Sequence, residues 1–510
     1  MKLQILSILL SLSLFLSSCS SPSPGDVLDV AVSQEPPTFD VHVNSSQVAR
    51  LVMTGNVFEQ LVTLDSQGRP VPELCSSFES LDECRSWVFH LRDDVLFHNG
   101  RVMTSEDVVL SLNRWIDYNS SVRTMVGEAR FQAVDEHTVR IDADRSMLLL
   151  PEMMAASPQS AVVYAREMLS MLDGDGLVTQ YIGTGPYMVQ EWRRGESITL
   201  VRFDDYCAYG GPMNGLAGRK NAYIPTIVYH FVPDAFARTS GCESGRYMFI
   251  NDLMSDDVRR LSRDEDLVVS LGDEAGSLVI LFNKRQGPAS RQYIRSAINT
   301  AVDLDVVMAA CYGDSGYVMH PDYMESGQRL WHVSDEEPRY DIGDKEAAAR
   351  MLEENGYDGT PVRILSSNLS NMDRSAIALA QELEEAGFVV DLVIVDWATM
   401  MAYRSDPAMW DVCITAMTMV PVPTLKLFLS PDYAGWSDDE QLQSMMEQLS
   451  SCTSLEEAQE IWAQIQDYCY DYLPAIVCGH YQSGYLYSAD LVDVDEYYGF
   501  HFYNSRIVSS

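Results

Sequence analysis

A chain of 510 residues is too long for a single hydrophobic core and calls for two or three lobes. Its 46% hydrophobic and 21% charged residues are those of an ordinary globular protein, which excludes a disordered or fibrous one. Lys and Arg total 35 against 74 Asp and Glu, and the formal charge of −39 describes a surface that repels nucleic acid and bare anionic lipid.

In chain order the first feature is an export signal. Lys2 supplies a positive start, and Ile5 to Leu16 form an apolar run broken only by serines, too short to span a bilayer as a mature helix. Leu16-Ser17-Ser18-Cys19, followed by a Ser/Pro/Gly stretch to Gly25, resembles a bacterial lipoprotein cleavage site. On that reading residues 1–18 are a signal peptide, Cys19 carries lipid on its sulfur, and 19–25 form a tether. No later segment has enough uninterrupted apolar residues to cross a membrane. The body is expected to be soluble, extracytoplasmic and lipid-anchored to a bacterial membrane, at the cell surface or in the periplasm.

Ten cysteines less Cys19 leave nine, an odd number. Cys75 and Cys84 are close enough in sequence to be bridged across a turn, and Cys207 with Cys242 is a weaker second pair. A set of buried thiols is the other outcome.

Strands and helices alternate along the body. Val27 to Ser33 reads as a strand closed by the turn-rich Gln34-Glu35-Pro36-Pro37. Gln47 to Leu61 carries a helical apolar face. Trp87 to Leu91 alternates like a strand, Asn99-Gly100 marks a hairpin corner, and Thr104 with Asp107 has the form of a capping box for a helix through Trp115. Helices are expected at Arg291 to Ala310, Asp344 to Asn355, Arg374 to Ala386 and Leu455 to Tyr472, with strands at Val362 to Leu365 and Val389 to Val395. The alternation indicates an α/β protein built around sheets.

Several of these stretches, in order, carry a resemblance. They are Ser33 to Asp40 with Val57 to Val62; Trp87 to Gly100 with Thr104 to Val108; Gly183-Thr184-Gly185-Pro186-Tyr187 with Glu191 to Glu196; Phe282-Asn283 with Arg291 to Ala297; Tyr340-Asp341, Glu354 to Tyr357 and Val395-Asp396-Trp397; and Leu473-Pro474-Ala475-Ile476. Together they resemble family 5, the peptide- and nickel-binding class of ABC-importer solute-binding proteins. The resemblance implies a type 2 periplasmic-binding-protein fold of three lobes with a hinged ligand cleft. Lobe I would take residues 26–65, 181–275 and 481–510, lobe II 66–180 and lobe III 276–480. It also implies a monomer that closes on a peptide or other small solute and delivers it to permease subunits, without catalysis or cofactor. A carrier of nickel chelate, haem or oligosaccharide, and a peptide-sensing lipoprotein, are the alternatives within that frame; a surface hydrolase ranks last.

The ligand-contacting positions so implied are Asn44, Ser45 and Ser46 for main-chain contacts, Trp397 and Tyr403 as cleft aromatics, Arg374 for a peptide carboxylate, and His480 and Tyr481 on the return toward lobe I. Peptide-binding relatives place an acidic residue after the strand equivalent to Val412 to Thr415. Here Ala416 to Pro423 has none, and Met417 and Met419 would offer a soft apolar lining instead.

Two chemical motifs are set aside. Gly313-Asp314-Ser315-Gly316 copies a serine-protease string without the geometry that defines a triad. Cys469, Cys478 and His480 lack the paired two-residue gap of common zinc sites and read as buried thiols, so no metal is expected.

Overall fold

The computed structural model describes residues 26–508; the signal and the whole tether, Cys19 included, lie outside them. Three sheets organise the chain. The first has seven strands in the order 267–270, 485–488, 249–251, 27–32, 226–231, 197–202 and 187–193. The second has six, in the order 317–318, 475–482, 274–282, 412–418, 362–367 and 390–395. The third is an antiparallel four-stranded sheet of residues 75–81, 86–91, 138–142 and 132–135.

Strand Val27–Val32 pairs in parallel with Thr226–Phe231 and with Phe249–Asn251 at the centre of the first sheet, so both its edges are paired. In the second sheet Val362–Ser367 is parallel to Val390–Val395 and to Val412–Thr418. The chain passes between these two sheets twice, through residues 271–273 and 483–484. Both passages join the edges at which the parallel strands end.

Local sequence explains most element ends. The helix Ser105–Tyr118 opens on its capping box: the Thr104 side chain accepts the Asp107 amide, and the Thr104 amide donates to the Asp107 carboxylate at 3.0 Å. The Asn99-Gly100 corner forms, with Gly100 at φ +80° and its amide on the Phe97 carbonyl. Leu455–Tyr472 is a helix with the expected bounds.

Two expected helices are shorter. Gln47–Met53 ends eight residues before Leu61, because the amides of Val57 and Phe58 both turn back to the Met53 carbonyl at 2.9 Å. Freed of the helix, the 56–57 backbone accepts the amides of Gly185 and Tyr187. Residues 291–310 break into Gln292–Ala301 and Leu304–Tyr312, since the Asp303 side chain accepts the Val306 amide and caps a second helix.

The cysteine pairing is corrected. All nine described cysteines are free thiols. Cys75 opens a seven-residue strand and Cys84 lies in the turn beyond its far end, a separation of roughly 20 Å at strand rise that no disulfide spans. Cys75 instead donates to the Leu61 carbonyl and Cys84 to that of Thr453. Cys242 is buried in its helix against the Leu486 carbonyl, while Cys207 is half-buried beside Arg92.

The first and third sheets are tied by a buried ion pair. Arg114, on the helix beside the third sheet, forks onto Asp40 at 2.9 and 2.6 Å, and the Tyr164 hydroxyl and Val178 amide also donate to that carboxylate. Burial alone would raise the Asp40 pKa, but the bonds and charge of Arg114 outweigh it and hold it below the ordinary carboxylate value.

The Gly183–Gly185 turn is a close-approach device. A Cβ on either glycine would fall inside the van der Waals envelope of the Val57 or Asn56 carbonyl. His98 fastens the same turn: the Gly183 amide donates to Nδ1 at 3.1 Å, and Nε2–H donates to the Gly185 carbonyl at 3.0 Å. Gly183→Ala should therefore destabilise the chain by about 1–3 kcal/mol in urea unfolding, as overpacking does. Gly211→Ala, which meets nothing within 4 Å, should stay within about 0.5 kcal/mol of the parent.

Candidate functional site

In open sheets, the carboxyl ends of parallel strands leave a crevice in which ligands bind. Here two such edges are joined by the 271–273 and 483–484 passages. On the first sheet this edge carries the loop after Val32 and the helix Gln47–Met53. On the second it carries the ends of 362–367, 390–395 and 412–418, the beginning of 274–282 and the end of 475–482.

The structure places the expected residues along these edges, in separate groups. Met417, His480 and Tyr481 converge on the start of strand Glu274–Phe282. Met417 and His480 flank Ser277 on either side, Tyr481 pairs with Gly276, and the Met419 amide donates to the Ala275 carbonyl. Tyr481 stacks on Tyr312 with ring centroids 5.4 Å apart. Trp397, 38% exposed, opens the helix that follows Val390–Val395, and Tyr403 packs half-buried against the core one and a half turns on. Arg374 is exposed near the start of the helix Met372–Glu385, beside Cys311, apart from the methionines.

On the opposite edge, Asn44 and Ser46 have local work. Asn44 donates to the Thr38 carbonyl and accepts the Ser46 amide, and Ser46 caps the helix by accepting the Ala49 amide; Ser45 is exposed.

Sequence reading missed four groups here. Arg50, on the helix Gln47–Met53, is half-buried, and no side chain among the described residues hydrogen-bonds or ion-pairs its guanidinium; its Nε is fully enclosed. Burial pulls its pKa down, opposed only by the Tyr485 hydroxyl. Around the same Tyr485 lies Asp273, which with Asp495 and Glu496 forms an acidic group; burial, then mutual repulsion, raises Asp273 and Asp495. A cavity of ≈ 10 Å³ remains where Leu64, Glu152, Gln328, Trp331, Pro421 and Tyr498 meet. Glu152 is buried there with an unpartnered Oε2, and burial pushes its pKa up to about 7. The fourth group is the cluster Glu274, His320 and His480. An amphipathic helix pattern gives no sign that an arginine on it will be left without a counter-charge, and residues 274, 320 and 480 have no informative spacing.

The motifs set aside have bland places. Asp314 pairs with Arg259 on the surface, in the turn between the helix Leu304–Tyr312 and strand Tyr317–Val318. Cys469 and Cys478 pack into different apolar clusters, and burial raises both thiols. His480 is the member of that trio that lies in a possible ligand set.

The profile of the bacterial extracellular solute-binding proteins, family 5, middle region, matches residues 69–436. A probable peptide ABC transporter periplasmic-binding protein of Sinorhizobium fredii is 25% identical over 443 residues, covering 83% of each chain. The oligopeptide-binding protein AppA of Bacillus subtilis is 23% identical, covering 80% of this chain and 79% of its own. NikA of Brucella suis, solved with Fe(III)-EDTA, superposes with a TM-score of 0.80 at 19% identity, over 94% of this chain and 99% of that one, and shares the fold. Among the described residues no helix is long and apolar enough to cross a membrane.

Glu152 supplies a pH test. Its folded pKa of about 7 lies above the ordinary carboxyl value of 4.5, so between those values the folded chain keeps a proton that the unfolded chain has lost. The stability it contributes is full below about pH 4.5 and lost as pH rises through 7. Glu152→Gln should be more stable than the parent at pH 8, by up to ~3 kcal/mol, with the difference vanishing near pH 4. Urea midpoints across that range read it, and parallel pH curves for the two proteins would refute the assignment.

Proposed function

The chain belongs to the family 5 bacterial extracellular solute-binding proteins, and from that premise we propose that it captures peptides outside the cytoplasm by hinge closure and delivers them to the permease of an ABC importer. In this reading residues 26–65, 181–275 and 481–510 act as lobe I, 66–180 as lobe II and 276–480 as lobe III. Cys19 carries the lipid anchor, and the protein works as a monomer that breaks no bond and needs no cofactor for capture.

The observation that carries the reading is the double passage at 271–273 and 483–484, which leaves two carboxyl edges free to swing about one short hinge. Peptide is favoured by the charges at that hinge. An uncompensated cation out of water is unfavourable, and a carboxylate relieves it. Arg50 is such a cation, and Asp273, Asp495 and Glu496 form an acidic counterpart suited to an ammonium group. They supply the negative charge that Ala416 to Pro423 lacks. The relatives named for peptides point the same way. A polyanionic metal chelate, the kind of ligand Brucella suis NikA holds, would satisfy Arg50 but not the acidic group.

Calorimetry with short peptides tests both halves. Arg50→Ala should weaken peptides with a free C-terminus by about 10- to 100-fold, the worth of a lost charge-assisted bond, and leave C-amidated peptides nearly unchanged. Small-angle scattering should show compaction on binding. Absence of heat with every peptide, together with retention of a metal chelate in native mass spectrometry, would overturn the peptide reading.

A further inference from the structure

Strand Glu274–Phe282 starts directly after one passage and strand Ala475–Gln482 ends directly before the other, so Glu274 and His480 stand at the base of the hinge. His320 joins them from the loop after Tyr317–Val318, the edge strand paired with His480 and Tyr481. Glu274, His320 and His480 are 7, 4 and 0% exposed. The two imidazoles stack with centroids 3.8 Å apart and planes 11° from parallel.

Chemistry dictates the tautomer of His480. Its Nε2 lies 3.0 Å from the Asp322 carbonyl, which can only accept, so Nε2 carries the hydrogen and Nδ1 presents a bare lone pair. That lone pair is buried, has no hydrogen-bond partner and faces acceptors: Glu274 Oε2 at 3.9 Å and Glu325 Oε1 at 4.0 Å. Glu274 is ionised, receiving the Ser326 amide at 2.8 Å, the Ser326 hydroxyl at 2.6 Å and His320 Nε2 at 3.2 Å. Lone pairs facing one another out of water repel, and a cation between them removes the conflict. A proton on Nδ1 would find no acceptor within hydrogen-bonding distance, since the nearest carboxylate oxygens stand 3.9 and 4.0 Å away.

We propose that Glu274 Oε2, His320 Nε2 and His480 Nδ1 bind one borderline divalent transition-metal ion of the Zn²⁺ class, at the base of the hinge. These ligand atoms lie within 4.8 Å of one another. A tetrahedral centre with bonds near 2.0–2.1 Å spaces its ligands about 3.4 Å apart, and an imidazole holds its ion in the plane of the ring, so His320 has to turn out of the parallel stack to close the set while the Asp322 carbonyl holds His480. Two imidazoles and one carboxylate suit Zn²⁺, Co²⁺ and Ni²⁺, and not Mg²⁺ or Ca²⁺, which prefer oxygen. On binding, the hydrogen that His320 Nε2 shares with Glu274 moves to the unpartnered Nδ1 of the same ring, so the imidazole stays neutral. The Asp322 carbonyl on His480 Nε2–H orients that ligand, as outer carbonyls do. Glu325 is engaged by Lys426 at 3.3 and 3.4 Å, which leaves the fourth position to water. An ion here clamps together the two strands from which the hinge springs.

The test uses the full chain, stripped with a chelator and titrated with Co²⁺ in the absence of any solute. One equivalent should bind and give the visible bands of four-coordinate Co²⁺, with Zn²⁺ displacing it. Glu274→Gln and His480→Gln should each weaken uptake at least 100-fold while near-ultraviolet circular dichroism is kept, and Cys469→Ser should leave uptake unchanged. If one of the ligand variants does not fold, His320→Asn replaces it. The proposal is overturned if the folded parent takes up no Co²⁺, or if folded ligand variants bind it as the parent does. Because the readout involves no peptide, its failure would leave the peptide reading standing, and the reverse also holds.

Discussion

Whatever the first and second sheets do together is limited by two short segments, 271–273 and 483–484, which alone carry the chain from one sheet to the other. Each segment joins an edge at which parallel strands end, so a change at the junction alters the gap between two carboxyl edges rather than the packing inside either sheet. The antiparallel pairing of Glu274–Phe282 with Ala475–Gln482 keeps the two segments side by side and makes them act as one joint. On the second-sheet side of the joint, the strands Glu274–Phe282 and Ala475–Gln482 are almost wholly buried, and close packing resists deformation there.

Buried charge is distributed in accord with that joint. Away from it, ions are paired: Asp40 with Arg114, and Lys220 with Glu59 and Glu73. Removing one partner from such a pair leaves an uncompensated charge and is strongly destabilising. At the joint and the cavity beside it the pattern reverses. Among the described residues Arg50 lacks an anion, Glu152 Oε2 lacks a donor, and His480 turns a lone pair toward carboxylates. Unsatisfied groups held on rigid elements are what a binding surface requires, since the molecule that satisfies them is bound by the difference.

Much of the α/β order could be read along the chain. The capping box at Thr104, the Asn99-Gly100 corner and the helix Leu455–Tyr472 depend on neighbours in sequence, and they formed where local chemistry put them. The errors share one cause. Val57, Phe58 and Leu61 continue a helical period, yet they lie beyond the helix, where the 56–57 backbone accepts the amides of Gly185 and Tyr187 from far along the chain. Cys75 and Cys84 look close in sequence, but an extended strand holds them apart. Asp303 was a cap hidden inside an apolar period.

The amino-acid order alone therefore determined the class of fold, the family motifs and the capping chemistry, because each rests on contacts within a few residues. Only the tertiary structure decided which polar groups are left without a partner. Whether Arg50 meets a carboxylate, or the His480 lone pair a donor, depends on residues hundreds of positions away brought to the same edge, and no local pattern encodes that meeting.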